Sequence, residues 1–111
     1  MSAASKRGRS SRRRGHDFER EIARKYRSAG FEARRGIQSR DGDEAADVEG
    51  TPWWVETKYS SVRHPNPVAA FRQATEATDG RPPIVWTKLA GGDTLVTMSD
   101  EEFWRLIGET E

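Results

Sequence analysis

The sequence contains no cysteine and only two histidines, and these absences remove several classes of site. Without cysteine there is no disulfide framework, no thiol nucleophile and no thiolate zinc site, which fits a reducing compartment. His16 and His64 are too few for a histidine-rich metal site. No apolar run approaches the roughly 18–20 residues that a membrane span needs, and none follows the basic N-terminus as in a secretory signal. We therefore expect a cytoplasmic protein with no membrane partner.

Apolar residues are also few, which limits the size of the core. Hydrophobic residues make up 33% of the 111 positions, and charged residues make up another 33%. Four Trp, four Phe and two Tyr are the bulkiest of the apolar residues. The chain therefore fits a single domain whose small core is largely aromatic.

The positive and negative charges are separated along the chain. The formal net charge is only +1, yet residues 1–40 carry a net +9 and residues 41–111 a net −8. Such asymmetry favours contact between the basic part and a polyanion. Residues 1–14 hold six positive charges and no acid, which predicts a disordered basic arm that binds phosphate or only keeps the protein soluble. A single domain over residues 15–111 follows.

Apolar spacing and turn residues predict the element order α-β-β-β-α-β-β-α, an α/β fold. Phe18, Ile22 and Tyr26 recur every four residues as one helix stripe, and Gly30 follows as a C-cap. The predicted elements are a helix over 16–29, strands over 31–38, 45–49 and 53–59, a helix over 67–78, strands over 83–88 and 94–98, and a last helix that Ser99 and Glu102 open as a capping box.

Several side chains receive a predicted face within these elements. The inner stripe of the second helix is predicted to be Val68, Phe71 and Thr75. That of the last helix is predicted to be Phe103, Leu106 and Ile107. Trp53 and Trp54 must point to opposite faces of a strand, so one lies in the core and the other beneath a site or in a dimer contact. The sequence does not decide which.

Three charged residues on one predicted hairpin form the most informative pattern. Glu56 and Lys58 share a strand face because side chains alternate. If the turn centres between residues 51 and 52, Asp47 lies opposite Glu56, with β-carbons about 4.5–5.5 Å apart. Two such carboxylates repel unless a cation lies between them or one is protonated. Mg²⁺ or Mn²⁺ takes oxygen ligands of this kind, and Lys58 beside it could act on a phosphate or an attacking water.

A plainer interpretation of the same pattern is an exposed strand with a salt-bridging Glu-x-Lys pair. Glu19 argues for the metal site, because it lies at the edge of the buried stripe of the first helix and needs a partner there. The apolar Trp-Trp-Val context before Glu56 and the basic first third of the chain argue the same way.

These residues resemble the PD-(D/E)xK nuclease superfamily. The arrangement Asp-x(8)-Glu-x-Lys on a hairpin, after a helix that carries a Glu, is that superfamily's pattern. The run from Arg14 to Glu21 (RGHDFERE), then Gly30-Phe31 and Arg35, is closest to the archaeal-type and phage-encoded Holliday junction resolvases. The resemblance covers about residues 14–60. It implies a restriction-endonuclease-like αβββαβ core, a central mixed sheet flanked by helices, with a C-terminal strand and helix.

The resemblance also assigns roles to individual residues. It implies Asp47 and Glu56 as metal ligands, Glu19 as the helix carboxylate that completes the site, and Lys58 as the catalytic lysine. Gln73 is a weaker candidate, since several lineages place a glutamine of the second helix near the site; the alternative is a solvent-facing side chain. The candidate DNA-binding residues are Arg12, Arg13, Arg14, Arg20, Arg24 and Arg35. For Arg20 and Arg35 the resemblance implies either contact with phosphates or orientation of the site.

The sequence departs from the superfamily pattern at two places. Ala46 stands where a proline often precedes the aspartate. The loop over residues 36–46 is long and contains Asp41, Asp43 and Glu44. One of these acids could join the metal site, or all three could be solvated.

The expected function is therefore a Mg²⁺-dependent (or Mn²⁺-dependent) structure-selective DNA endonuclease. The expected partner is branched DNA, most of all a four-way junction, cut by a homodimer in a bacterial, archaeal or phage-infected cell, with no small-molecule substrate. The alternatives are another nuclease of the superfamily (nicking, flap, repair or restriction-like), a non-catalytic DNA-binding module, and an RNA-binding protein, for which no aromatic stacking motif is visible.

Overall fold

The computed structural model describes residues 3–37 and 45–109, with side chains from Arg9 onward. Its elements follow the predicted order. They are α1 (Ala3–Ser28), β1 (Arg34–Arg35), β2 (Val48–Glu49), β3 (Trp54–Ser60), α2 (Pro67–Ala77), β4 (Pro83–Leu89), β5 (Thr94–Thr97) and α3 (Asp100–Glu109). Among these described helices none is long and apolar enough to cross a bilayer.

The five strands form one mixed sheet in the order β1-β2-β3-β4-β5. The first three strands are antiparallel neighbours, and β5 is antiparallel to β4. Between them β3 and β4 run parallel, with Val55 beside Ile84, so the chain must cross over the sheet, and α2 makes that crossover. The α/β fold and the mixed sheet with flanking helices are as predicted.

The β2–β3 hairpin has the register that the sequence predicts. Val48 pairs with Val55, which places Asp47 and Glu56 at the next step of the ladder. Gly50 opens the turn with φ of 89°, a left-handed conformation that glycine adopts readily. A β-carbon there would lie 2.1 Å from the carbonyl oxygen of Glu32. The hairpin that carries two of the predicted site residues therefore requires glycine at this position.

The larger core lies between the sheet and α1. Phe18, Ile22 and Tyr26 are 2%, 0% and 8% exposed, which confirms the predicted stripe. They pack with Val48 and Val55, and Leu106 of α3 joins the edge of the same cluster. The α1 and α3 helices therefore cover one face of the sheet.

The smaller core lies on the opposite face, against α2. It joins Trp54 of β3 and Val85 of β4 to Ala70 and Ala74 of α2. The predicted stripe of this helix is wrong at Val68, which is 56% exposed, and at Thr75, which is exposed too. The two alanines face inward instead because their small side chains let α2 lie close to the indole of Trp54.

The predicted stripe of α3 is wrong in part. Leu106 packs on the core, but Phe103 and Ile107 are 46% and 42% exposed. The buried residue of this helix is Glu102, whose Oε2 accepts a 2.6 Å hydrogen bond from Nε1 of Trp53 and which also pairs with Arg105. This anchor rotates the helix away from the apolar stripe. Ser99 does cap the helix as predicted, because its Oγ accepts from the Glu102 amide. The reciprocal half of the predicted capping box is not formed, since the Glu102 carboxylate bonds Trp53 and Arg105 instead.

Three further elements differ from the sequence prediction in length. The strand predicted over 45–49 is only Val48–Glu49. The first helix begins at Ala3, so the structure continues it through a segment predicted to be a disordered arm. Ala, Lys and Arg are good helix formers, and the segment runs without a break into the part that Phe18 anchors. The first strand, predicted over 31–38, pairs only at Arg34–Arg35.

Candidate active site

A cavity of about 430 Å³ lies where α1, the β2–β3 hairpin and α2 meet. We call it the carboxylate pocket, because Glu19, Asp47 and Glu56 all line it. Arg35 and Gln73 line it as well. Gln73, the weaker candidate from the sequence, therefore lies in the same cavity as the three carboxylates. Residues from α1, β1, the β2–β3 hairpin and α2 thus meet at one site.

Glu19 reaches the pocket from α1 and is held by an ion pair. Its Oε2 accepts a 2.7 Å hydrogen bond from Nε of Arg35, and the Glu19 side chain is only 17% exposed. A carboxylate this buried needs such a partner, as the sequence indicates. Arg35 therefore orients Glu19.

Asp47 is fixed by the backbone on both sides. Its Oδ2 accepts from the Thr57 amide at 2.8 Å, and its own amide donates to the Val55 carbonyl at 2.8 Å. Its carbonyl accepts from the Gly36 amide, also at 2.8 Å. A β-carbon on Gly36 would lie 1.7 Å from the Ala46 carbonyl oxygen, so only glycine lets the two segments approach this closely. The Asp47 carboxylate is therefore placed rigidly.

Glu56 is the residue whose protonation the site perturbs most. Burial raises its pKa to about 7, and the negative charge of Asp47 adds to the effect. The hydrogen bond from Nε1 of Trp54 to Glu56 Oε1, at 2.9 Å, and the charge of Lys58 act in the opposite direction. Two carboxylates confined together in this way are what a divalent cation would stabilise in their ionised form.

A network of charged residues around Trp54, which the sequence did not predict, supports the side chain that bonds Glu56. The guanidinium of Arg81 lies 5.2 Å from the ring centroid of Trp54 and bonds Glu49 at 2.8 Å and Asp79 at 2.9 Å. Glu49 Oε1 also accepts from the Ala46 amide. Alternation along the strand could have placed Trp54 under Glu56. No local sequence signal marks Arg81, which lies in the connection between α2 and β4.

Lys58 does not line the carboxylate pocket, although it shares a strand face with Glu56. It lines a neighbouring cavity with Arg63 and His64. The sequence predicts Lys58 beside the two carboxylates; in the structure it is two residues along β3 from Glu56 but lines the adjoining cavity instead of theirs. Lys58 is thus placed to act at the border of the pocket.

The candidate DNA-binding arginines, apart from Arg35, lie outside the carboxylate pocket. Arg20 pairs with Asp17 at 3.0 Å on the exposed side of α1. Arg14 lines a small cavity with Tyr59. The candidates that are exposed on α1 are Arg12, Arg13, Arg14, Arg20 and Arg24. They form a cationic surface along this helix.

The residues of the pocket provide oxygen donors for a hard cation. Within residues 3–37 and 45–109 no group of three or more His, Cys, Asp or Glu is arranged as a ready ligand set. Asp47 and Glu56 provide two carboxylates, while Glu19 is engaged with Arg35. Mg²⁺ commonly binds through one or two carboxylates and keeps several waters, so this donor set fits it. The loop acids Asp41, Asp43 and Glu44 lie outside the described residues.

Comparisons of the chain with protein-family models, with curated proteins and with solved structures find no match. We therefore infer function from the residues of the carboxylate pocket and the cations around it.

Proposed function

We propose that this protein is a divalent-metal-dependent DNA endonuclease of the PD-(D/E)xK superfamily. One observation carries the proposal: Glu19 of α1, Asp47 immediately before β2 and Glu56 of β3 line a single cavity. The pKa of Glu56, raised to about 7 by burial and by the charge of Asp47, adds support. Strongly perturbed acids in a cleft are typical of functional sites.

The topology supports a restriction-endonuclease-like core. A helix, three antiparallel strands, a crossover helix and a parallel fourth strand follow one another in the αβββαβ order. The two ligand candidates lie on the central hairpin of that order. The added β5 and α3 extend the sheet and cover the α1 face.

The proposed chemistry is hydrolysis of a phosphodiester. Asp47 and Glu56 would hold Mg²⁺ or Mn²⁺, with Glu19 completing the site directly or through water. When bound, the metal lowers the pKa of a coordinated water and neutralises charge on the phosphate. Arg35 keeps Glu19 oriented. Lys58, from the adjoining cavity, would stabilise the negative charge that develops on the phosphate.

The proposed substrate is branched DNA, above all a four-way junction, bound by a homodimer. The exposed arginines of α1 would contact phosphates, which gives affinity without base recognition. Two copies related by a two-fold axis would cut two strands symmetrically. This part of the proposal follows the family resemblance of residues 14–60.

The test is cleavage of labelled four-way junction, linear duplex and single strand in Mg²⁺, Mn²⁺ or EDTA. We expect paired symmetric nicks in the junction, abolished by EDTA and reduced about 100-fold or more in Asp47→Asn and Glu56→Gln. Glu101→Gln, which removes an exposed carboxylate of α3, is the matched control and should cut like the wild type. Cutting of all three substrates would retain the nuclease and remove junction selectivity.

A second candidate is a DNA-binding module without catalysis. It is favoured by the ion pair that occupies Glu19 and by the lack of a three-residue ligand set among the described residues. Junction binding with no cutting in any metal would establish this candidate and reject the nuclease.

A further inference from the structure

A second cavity, of about 540 Å³, opens at the carboxyl end of β3. We call it the basic groove and define it by Lys58, Ser60, Arg63 and His64, which line it. It is separate from the carboxylate pocket, since the two cavities have no lining residue in common. Nothing in the proposed chemistry uses Arg63 or His64.

The loop that forms the groove is held to the sheet by its own side chains. Ser60 Oγ accepts from the amides of Val62 at 3.1 Å and Arg63 at 3.4 Å, which fixes the turn. His64 Nδ1 lies 2.7 Å from the Pro65 carbonyl, which can only accept, so this nitrogen carries the proton. His64 Nε2 is 3.2 Å from Oγ1 of the buried Thr87. His64 is therefore a positioning residue that fixes the loop presenting Arg63.

The basic groove lies next to the carboxylate pocket, further along β3 toward its carboxyl end. Glu56, Lys58 and Ser60 lie on one face of β3, and each step of two residues advances about 6.6 Å. In the parallel register Lys58 lies beside Thr87, the residue that His64 contacts. A strand of nucleic acid that passes Glu56 along β3 would next reach Lys58 and then the groove.

The cations of the groove are available to an anion. Within the described residues neither Lys58 nor Arg63 has a carboxylate within 4.0 Å. Arg35, Arg81 and Arg105 are all engaged in ion pairs. Arg14 of α1 lines a small cavity that shares Tyr59 and Ser60 with the groove, which extends the positive surface.

We propose that the basic groove binds a phosphodiester of the same DNA strand, next to the phosphate at the carboxylate pocket, through Arg63, with Lys58 at the border between the two phosphates. The inference rests on the proposed function in one respect, that the bound polyanion is DNA. It adds Arg63 as a backbone contact and His64 as the residue that holds Arg63 in place.

The test measures DNA binding in EDTA, where no cutting complicates it. Fluorescence anisotropy of labelled duplex and four-way junction, from about 50 to 200 mM NaCl, gives the slope of log affinity against log salt. We expect Arg63→Ala to reduce that slope by about 0.9, the value for one lost phosphate contact. Arg63→Lys should retain the slope because it keeps the charge. Lys25→Ala, a cation at the far end of α1, is the matched control and should leave the slope unchanged.

A positioning role for His64 has its own readout. His64→Ala should lower affinity at fixed salt and make Arg63→Ala nearly silent in the double variant, because both act through one contact. If the two effects add in full, His64 does not position Arg63.

The outcomes separate this inference from the proposed function. An unchanged slope in Arg63→Ala, with wild-type cutting intact, overturns the groove and leaves the nuclease. A reduced slope with no cutting in any metal retains the groove and rejects the nuclease. Absence of DNA binding by the wild type rejects both.

Discussion

Glu56 is the residue whose protonation the site perturbs most, because burial and the charge of Asp47 both raise its pKa, and this should make stability depend on pH in the absence of metal. Its ordinary pKa of 4.5 is raised to about 7, first by burial and then by Asp47. Between pH 4.5 and 7 the unfolded chain has released this proton while the folded chain retains it. The contribution of Glu56 to stability therefore falls as pH rises through that window.

The expected loss is about 1–2 kcal/mol, since Glu56 is partly exposed and solvent screens its charge. Urea unfolding of the wild type and of Glu56→Gln in EDTA, from pH 4 to 8, measures it. The difference between the two proteins isolates Glu56 from other carboxylates. A difference that is constant with pH would contradict the prediction.

Trp54 should set the acidity of Glu56 through its indole. Trp54→Phe keeps most of the buried ring and removes the hydrogen bond from Nε1 that favours the ionised carboxylate. The pKa of Glu56 should therefore rise further, as NMR titration of its carboxyl carbon would show. Trp53→Phe is the matched control on the opposite face, because it breaks the bond to Glu102 instead. Each variant should lose about 1 kcal/mol of stability, but only Trp54→Phe should move the titration.

At this scale the sequence predicted the three carboxylates and Arg35, which pairs with Glu19, but missed Arg81, which supports Trp54. Asp47, Glu56 and Glu19 were found because a carboxylate in an apolar pattern demands an explanation. Arg81 could not be found, because it reaches Trp54 only after α2 folds back on the sheet. The two tryptophans, left undecided by alternation alone, are both buried, and the one beneath Glu56 is Trp54.

Among the connections between elements, the approach of β1 to β2 depends on glycine. Gly36→Ala would place a β-carbon 1.7 Å from the Ala46 carbonyl oxygen, next to Asp47. We expect a loss of about 1–3 kcal/mol, measured by thermal or urea unfolding.

Gly15→Ala is the control for this substitution. Gly15 lies inside α1 with nothing within 4 Å of a β-carbon, so alanine there should stabilise the protein by about 0.5–1 kcal/mol. Equal effects of the two substitutions would show that the approach at Gly36 is not close.

The elements themselves were predictable where the signal is local. The β2–β3 register follows from turn residues that lie between the two strands, and it is confirmed by the Val48–Val55 pair. The rotation of α2 and α3 was not predictable, because it is set by contacts with distant residues. Ala74 faces inward to reach Trp54, and Glu102 faces inward to reach Trp53.

Over the whole molecule the positive charge is concentrated on α1. Arg12 and Arg13 are exposed there. Replacing both with Ala should change stability by less than about 0.5 kcal/mol. The same variant should lower the slope of log affinity against log salt by up to about 1.8, the value for two lost phosphate contacts. Calorimetry and the anisotropy assay check the two effects separately, and a large loss of stability would contradict this view of the helix.

The parallel pairing of β3 with β4 has a consequence for the order of folding. Val48 meets Val55 across one tight turn, whereas Val55 meets Ile84 only after the whole of α2. Loop-closure entropy favours the short connection, and long-range pairing of this kind is slow. We expect the hairpin to close first, so that Asp47 and Glu56 meet before α2 has closed the pocket over them. The two carboxylates therefore come together while water still surrounds them, and the electrostatic repulsion between them is weakest in water.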